Sequence, residues 1–210
     1  YSNKEHWNAF WRTFCRMKRQ NRIVEIPFSD DMLKKAERFT HEVIKEKRKE
    51  RVHQRDGRNE YKRWMTGTLG ELALEEFLGI KIHDPTIGHS SKYAIPDLSS
   101  LGIPVGVKSF RVGNFPLVNR ITKIPFDLYR EIESQIFVGT ELKRKVAYLF
   151  GLGFPETLVA NERNPESNRY VKDKNALDRK TAFIDLPALH VFQSLDELKT
   201  LVHEYYRLTA

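Results

Sequence analysis

Apolar residues recur along the first twenty positions at helical spacing: Trp7, Phe10, Trp11, Phe14 and Met17 share one side of a 3.6-residue period. Arg12, Arg16, Lys18 and Arg19 fall on the other side, and Ser2 with Glu5 has the spacing of a capping box. The pattern predicts an amphipathic helix over Ser2 to Gln20, whose aromatic stripe reads as core rather than as a base-stacking surface. A short extended piece over Arg22 to Pro27 follows. Ser29 caps a second helix running to about Val52, with Met32, Leu33, Ala36, Phe39, Val43 and Ile44 as its buried stripe. From Lys45 to Arg51 that helix is nearly all charged with mixed signs, the composition of a solvated helix end. Gln54 to Lys62 is polar and reads as a loop.

A third helix starts at Thr66 or Gly67 and stops at Gly79. Extended segments are expected near Ile80 to His83, Tyr93 to Leu98, Ile103 to Phe110 and Phe115 to Ile121, and a helix over Pro125 to Phe137. Val146 to Phe154 is an unbroken apolar run of strand length, which predicts a buried central strand. Pro155 to Lys180 is a polar excursion, Ala182 to Leu186 and Leu189 to Phe192 are short apolar pieces, and Ser194 caps a last helix through Leu195, Leu198, Leu201, Val202 and Tyr205. The order predicts an α/β fold, a central mixed β-sheet flanked by helices with a helical N-terminal region. Residues 1–62 form that basic helical region and residues 63–210 the α/β domain.

Forty percent hydrophobic content over 210 residues is enough for a core, and the formal net charge of +8 favours a polyanionic partner. No apolar run reaches the roughly 18 residues of a membrane span, and no signal-peptide pattern is present. A single cysteine, Cys15, excludes an intrachain disulfide and a cysteine-based zinc site. It fits a reducing, cytoplasmic setting, and Cys15 itself reads as a half-buried core thiol.

Three residues carry candidate chemistry. Glu71 follows Gly67 and Gly70 and precedes Ala73, small residues that let a helix lie close to a sheet; alone it reads as a first-turn carboxylate complementing the helix dipole. Asp97 in Pro96-Asp97 reads alone as a turn aspartate before Ser99 and Ser100. Lys108 lies in a strand where Ile103, Val105 and Val107 share one face, so it points to the other face. His83, Asp84 and His89 read as surface residues rather than a metal cluster. Lys143, Arg144 and Lys145 form a basic patch that, with Arg111, Arg120 and Lys123, would line a phosphate track. No P-loop, dinucleotide fingerprint, His-Glu-X-X-His motif or nucleophile elbow occurs.

In order, a helix bearing Gly70-Glu71 and Ala73, then Pro96-Asp97, then Gly106-Val107-Lys108 opening into Ser109-Phe110 resembles the PD-(D/E)XK nuclease superfamily, over roughly Gly67 to Phe154. The resemblance implies a restriction-endonuclease-like fold and Mg²⁺- or Mn²⁺-dependent hydrolysis of DNA phosphodiester bonds. Asp97, Glu71 and the Val107 carbonyl would serve the metal, and Lys108 would be the catalytic lysine. The chain departs from the pattern at Gly106, where the second acidic residue would stand. Three explanations are open: a carboxylate supplied from a following helix (Glu131 or Glu133), an inactive binding module on the same fold, or a glutamate lost by the single-base change that cloning a toxic nuclease selects. The rival function is a catalytically silent nucleic-acid-binding protein; a homodimer is compatible with either. In an unrelated basic α/β protein, Glu71, Asp97 and Lys108 would never meet.

Overall fold

The computed structural model describes residues 3–47, 60–87, 96–113, 117–119, 134–155, 157, 181–183 and 186–209. Its elements are α1 (Asn3–Arg19), β1 (Val24–Pro27), α2 (Asp30–Lys47), α3 (Glu60–Leu78), β2 (Val105–Arg111), β3 (Leu117–Asn119), β4 (Ser134–Glu141), β5 (Val146–Gly153), β6 (Thr181–Phe183) and α4 (Leu195–Thr209). The capping serines act as their positions predict. Ser29 Oγ accepts the Met32 N–H at 3.1 Å, and Ser194 Oγ accepts that of Glu197 at 3.2 Å.

Strands β1, β5, β4 and β2 form one mixed sheet in that order. β5 pairs antiparallel with β1 and β4, whereas β2 runs parallel to β4, with Gly106 opposite Gln135 and Lys108 opposite Phe137. A parallel neighbour requires a long crossover between the two strands. β3 and β6 make a separate antiparallel pair.

Alternation along the strands builds two cores. Val105, Ile136, Val138, Ala147 and Leu149 face the helices α2, α3 and α4, while Phe110, Phe137, Val146, Tyr148 and Phe150 pack with Phe10, Phe14 and Met17 of α1. The alternation in β5 slips once: Phe150 is on the α1 side, yet Leu152 joins the other core. The register breaks there, Phe137 facing Gly151 and Val138 facing Leu149. Gly151 takes a φ of +132°, and a Cβ on it would lie 2.5 Å from the His190 carbonyl oxygen. Only glycine suits both the conformation and the approach. Val146–Gly153 is buried throughout and interior in the sheet, as its apolar run predicts.

Several expectations need correction. Ser134 to Phe137 are strand, not the end of a helix, because β4 is held on both sides by β2 and β5; residues 125–133 lie outside the described region. α3 starts at Glu60 rather than at Thr66 or Gly67. β1, within residues 1–62, is an edge strand of the sheet. Residues 80–83 form a turn and loop rather than a strand, and 96–98 lead into a turn. Cys15 is exposed, not half-buried. No helix among the described residues is long and apolar enough to cross a membrane.

α3 is the helix that positions the site. Its buried residues lie all round it because α2 covers one side and the sheet the other. The contact with β2 is closest at Gly70, where a Cβ would overlap the Ser109 hydroxyl and lie 2.8 Å from Ser109 Cβ. Ser109 Oγ in turn donates to the Gly67 carbonyl at 3.3 Å. Gly70→Ala is therefore expected to destabilise the protein by about 1–3 kcal/mol, the cost of forcing packed elements apart, although alanine is the better helix former. Urea unfolding of the two proteins measures this, and an unchanged or raised midpoint would refute the close contact.

Candidate functional site

Residues 96–101 run past the outer edge of β2. In a strand, one residue's N–H and C=O point to the same side, and alternate residues face alternate edges. Leu98 N–H donates to the Val105 carbonyl at 3.0 Å, and Val107 N–H donates to Asp97 Oδ2 at 2.5 Å. The Val107 carbonyl thus points to the same open edge as its N–H, away from β4 and beside the Asp97 carboxylate. Gly102, at a φ of +71°, closes the turn that brings the chain back into β2.

Glu71 lines the same cavity from α3, and a second glutamate one turn on brings in a partner that the sequence does not reveal. Glu75 Oε1 accepts the backbone N–H groups of Ile82 at 2.8 Å and His83 at 2.6 Å. This folds the chain after Gly79 back along α3 and sets the His83 ring against Glu71, with Nδ1 2.7 Å from Oε2. His83 is only 5% exposed, and its ring meets Phe39 edge-on at 4.6 Å between centroids. The expectation of a surface histidine is overturned: the residue is held between a carboxylate and an aromatic ring. Its one advance sign was Glu71 and Glu75 standing four apart, on one face of a helix. Asp84 is exposed, and His89 lies outside the described residues.

A cavity of about 780 Å³ opens on this edge, and Glu71, His83, Asp97, Val107, Lys108 and Arg111 all contribute to its wall. The three residues whose order suggested the site therefore meet on one cavity. Lys108 projects from the α1 side of the sheet and is half-buried; because β2 is an edge strand, the cavity takes in residues from both of its faces. Burial lowers the Lys108 pKa from its ordinary 10.5.

Gly106 is buried beneath its neighbour across the sheet. A Cβ there would lie 2.9 Å from Gln135 Nε2 and 3.1 Å from Oε1. The obstacle is the end of a flexible side chain, so a larger residue fits if that amide turns aside. Glu131 and Glu133, like Arg120 and Lys123, lie outside the described residues. Of the remaining basic positions, Arg111 borders the cavity, whereas Arg144 is 3.9 Å from Glu141 and Lys145 is 3.6 Å from Asp30. Lys143 is exposed in the turn between β4 and β5.

The oxygen donors on the cavity are the Asp97 carboxylate and the Val107 carbonyl at the edge and the Glu71 carboxylate on the α3 wall. This chemistry suits a hard divalent cation that keeps several waters, and does not suit a soft metal. Among the described residues no three His, Cys, Asp or Glu side chains gather about one point.

The lysine yields a pH prediction. With its folded-state pKa below 10.5, the unfolded chain binds the extra proton over the interval between the two values, so stability rises with pH there. Lys108→Met is expected to stabilise the protein at neutral pH, with the advantage shrinking as the pH approaches 10.5. Denaturant midpoints of both proteins at about pH 7 and about pH 10 measure this; a constant difference would refute it. No family model, no curated protein and no solved structure matches the chain.

Proposed function

We propose that the chain is a divalent-cation-dependent endonuclease of restriction-endonuclease-like architecture, acting on DNA phosphodiester bonds. The observation that carries this reading is the bond from Val107 N–H to Asp97 Oδ2. It fixes a carboxylate beside an edge carbonyl on a cavity shared with Glu71 and Lys108. A helix bearing Glu71, then Pro96-Asp97, then a strand bearing Lys108 is also the order the PD-(D/E)XK resemblance implies. The net charge of +8 supports a polyanionic substrate.

Asp97, Glu71 and the Val107 carbonyl would hold Mg²⁺ or Mn²⁺. Such a cation, when bound, polarises a phosphoryl oxygen and makes a water acidic enough to supply hydroxide. The chain's own residues do the rest. Val107 N–H keeps the Asp97 carboxylate at the strand edge, and His83 holds that of Glu71. Lys108 places an ammonium where charge develops on the phosphoryl group. Arg111 on the cavity wall serves a flanking phosphate. The weak point is Gly106, which supplies no carboxylate. A silent binding module on the same architecture is the second reading, favoured by the Gln135 amide that covers Gly106.

Plasmid nicking in Mg²⁺ separates the two. Gly106→Glu is expected to nick at least about 10-fold faster than the chain as it stands. Adding Asp97→Asn or Lys108→Met to that variant should remove on the order of 100-fold or more. DNA binding with no cleavage, by the chain as it stands and by its Gly106→Glu variant alike, in Mg²⁺ or Mn²⁺, would establish the binding module instead.

A further inference from the structure

The cavity extends beyond the residues assigned to chemistry. Its inner wall lies between α2 and α3, where Phe39, Trp64, Thr66 and His83 border it, and Lys62 and Arg63 stand on the same wall at the start of α3. Phe39 meets Trp64 edge-on at 6.4 Å as well as His83, so the wall is a fixed group of rings. The Arg63 guanidinium lies 5.4 Å from the Trp64 ring centroid. Thr66 is 6% exposed, and its Oγ1 makes no hydrogen bond among the described residues. A buried hydroxyl left unsatisfied is costly. Thr66 borders the cavity, but its hydroxyl is covered there, so an entering group meets it only after its neighbours move slightly.

We infer that this inner wall receives one unstacked nucleotide, so that the substrate is single-stranded or locally unpaired nucleic acid rather than continuous duplex. The inference rests on the nuclease reading of the neighbouring carboxylates. A volume near 780 Å³ falls within the roughly 300–1,000 Å³ of pockets that enclose small molecules. A continuous duplex offers such a pocket only sugar and phosphate, because its bases are stacked and paired within. The inner wall suits a base instead. The half-buried Trp64 offers apolar and π surface, backed by the nearly covered rings of Phe39 and His83, and the threonine hydroxyl, once uncovered, both donates and accepts. Glu71 and Asp97 on the adjoining wall repel a phosphate from the interior, while Lys62 and Arg63 are exposed where the sugar–phosphate chain would pass. A base drawn inside would leave its own phosphate near the cavity entrance, in reach of Lys108 and the carboxylate edge.

Fluorescence anisotropy tests this with the full chain, in EDTA and at one fixed salt concentration. The probes are a labelled single strand, the same sequence as a perfect duplex, and that duplex with one bulged nucleotide. The single strand and the bulged duplex are expected to bind at least about 10-fold tighter than the perfect duplex. Trp64→Leu should weaken single-strand binding roughly 5- to 150-fold, the range for losing one base–aromatic stack, and duplex binding less than about 2-fold. Thr66→Val guards against a folding defect. It should weaken single-strand binding by about 2- to 10-fold while raising the melting temperature, since the hydroxyl it removes is unsatisfied in the protein alone. Perfect duplex bound as tightly as single strand, or Thr66→Val and Trp64→Leu both leaving single-strand binding unchanged, overturns the inference and leaves the nuclease reading standing. Failure to bind any of the three probes overturns the inference, and the nuclease reading is then decided by the nicking assay in Mg²⁺.

Discussion

Helix α3 lies against β2 at a point where neither element has room for another atom. Gly70 meets Ser109 there, and Ser109 donates its hydroxyl to the Gly67 carbonyl one turn back. This contact sets the distance from the helix carrying Glu71 to the strand carrying Val107 and Lys108. A side chain at Gly70 would lift α3 from the sheet, and Glu71 would leave the edge with it. The small residues in Gly67-Thr-Leu-Gly70-Glu71 thus act on the site indirectly, by determining how near a carboxylate comes to a strand that it does not touch.

The second constraint is that β2 ends the sheet among the described residues. An edge strand presents unpaired backbone groups, and folded proteins cover or blunt them. Here the segment 96–98 does so: Leu98 takes the Val105 carbonyl and Asp97 takes the Val107 N–H. Asp97 therefore has a structural task that needs no metal, and the turn reading of that residue contains part of the truth. The two roles are compatible, since the bond to Val107 engages one carboxylate oxygen and also places that carboxylate next to an edge carbonyl. Capping a strand edge and assembling a cation site call for the same geometry.

What the sequence revealed follows from which interactions are local. The apolar run of β5, the stripe of α1, the alternation in β2 and the serine caps of α2 and α4 depend on neighbours within a few positions, and each is found where its pattern puts it, except that Trp7 of the α1 stripe is exposed rather than core. β4 was harder. Ser134 to Phe137 become strand through pairing with β2 and β5, partners that local spacing does not show. The start of α3 was missed for the opposite reason: Glu60 to Arg63 is charged because it is the exposed beginning of a helix whose buried face starts at Met65. His83 was invisible because its burial depends on Glu75 gathering two backbone N–H groups seven and eight residues away. For the site, the order of Glu71, Asp97 and Lys108 anticipated that they share a cavity, but not the histidine behind Glu71 nor the amide above Gly106.

Gly106 and Lys108 belong to one electrostatic problem. They stand two apart on β2, so their side-chain positions share a face of the sheet. Lys108 has its pKa lowered by burial, and no nearby carboxylate on that face offsets the desolvation among the described residues. A glutamate in place of Gly106 would supply the opposite charge, and only the movable end of Gln135 stands in its way. The amide lies directly opposite that position across the sheet, which makes Gln135 a tolerable filler for the space but no substitute for the charge. Lys108 is thus a cation held beside a cavity at a desolvation cost, which either a phosphate entering the cavity or a carboxylate at position 106 would offset.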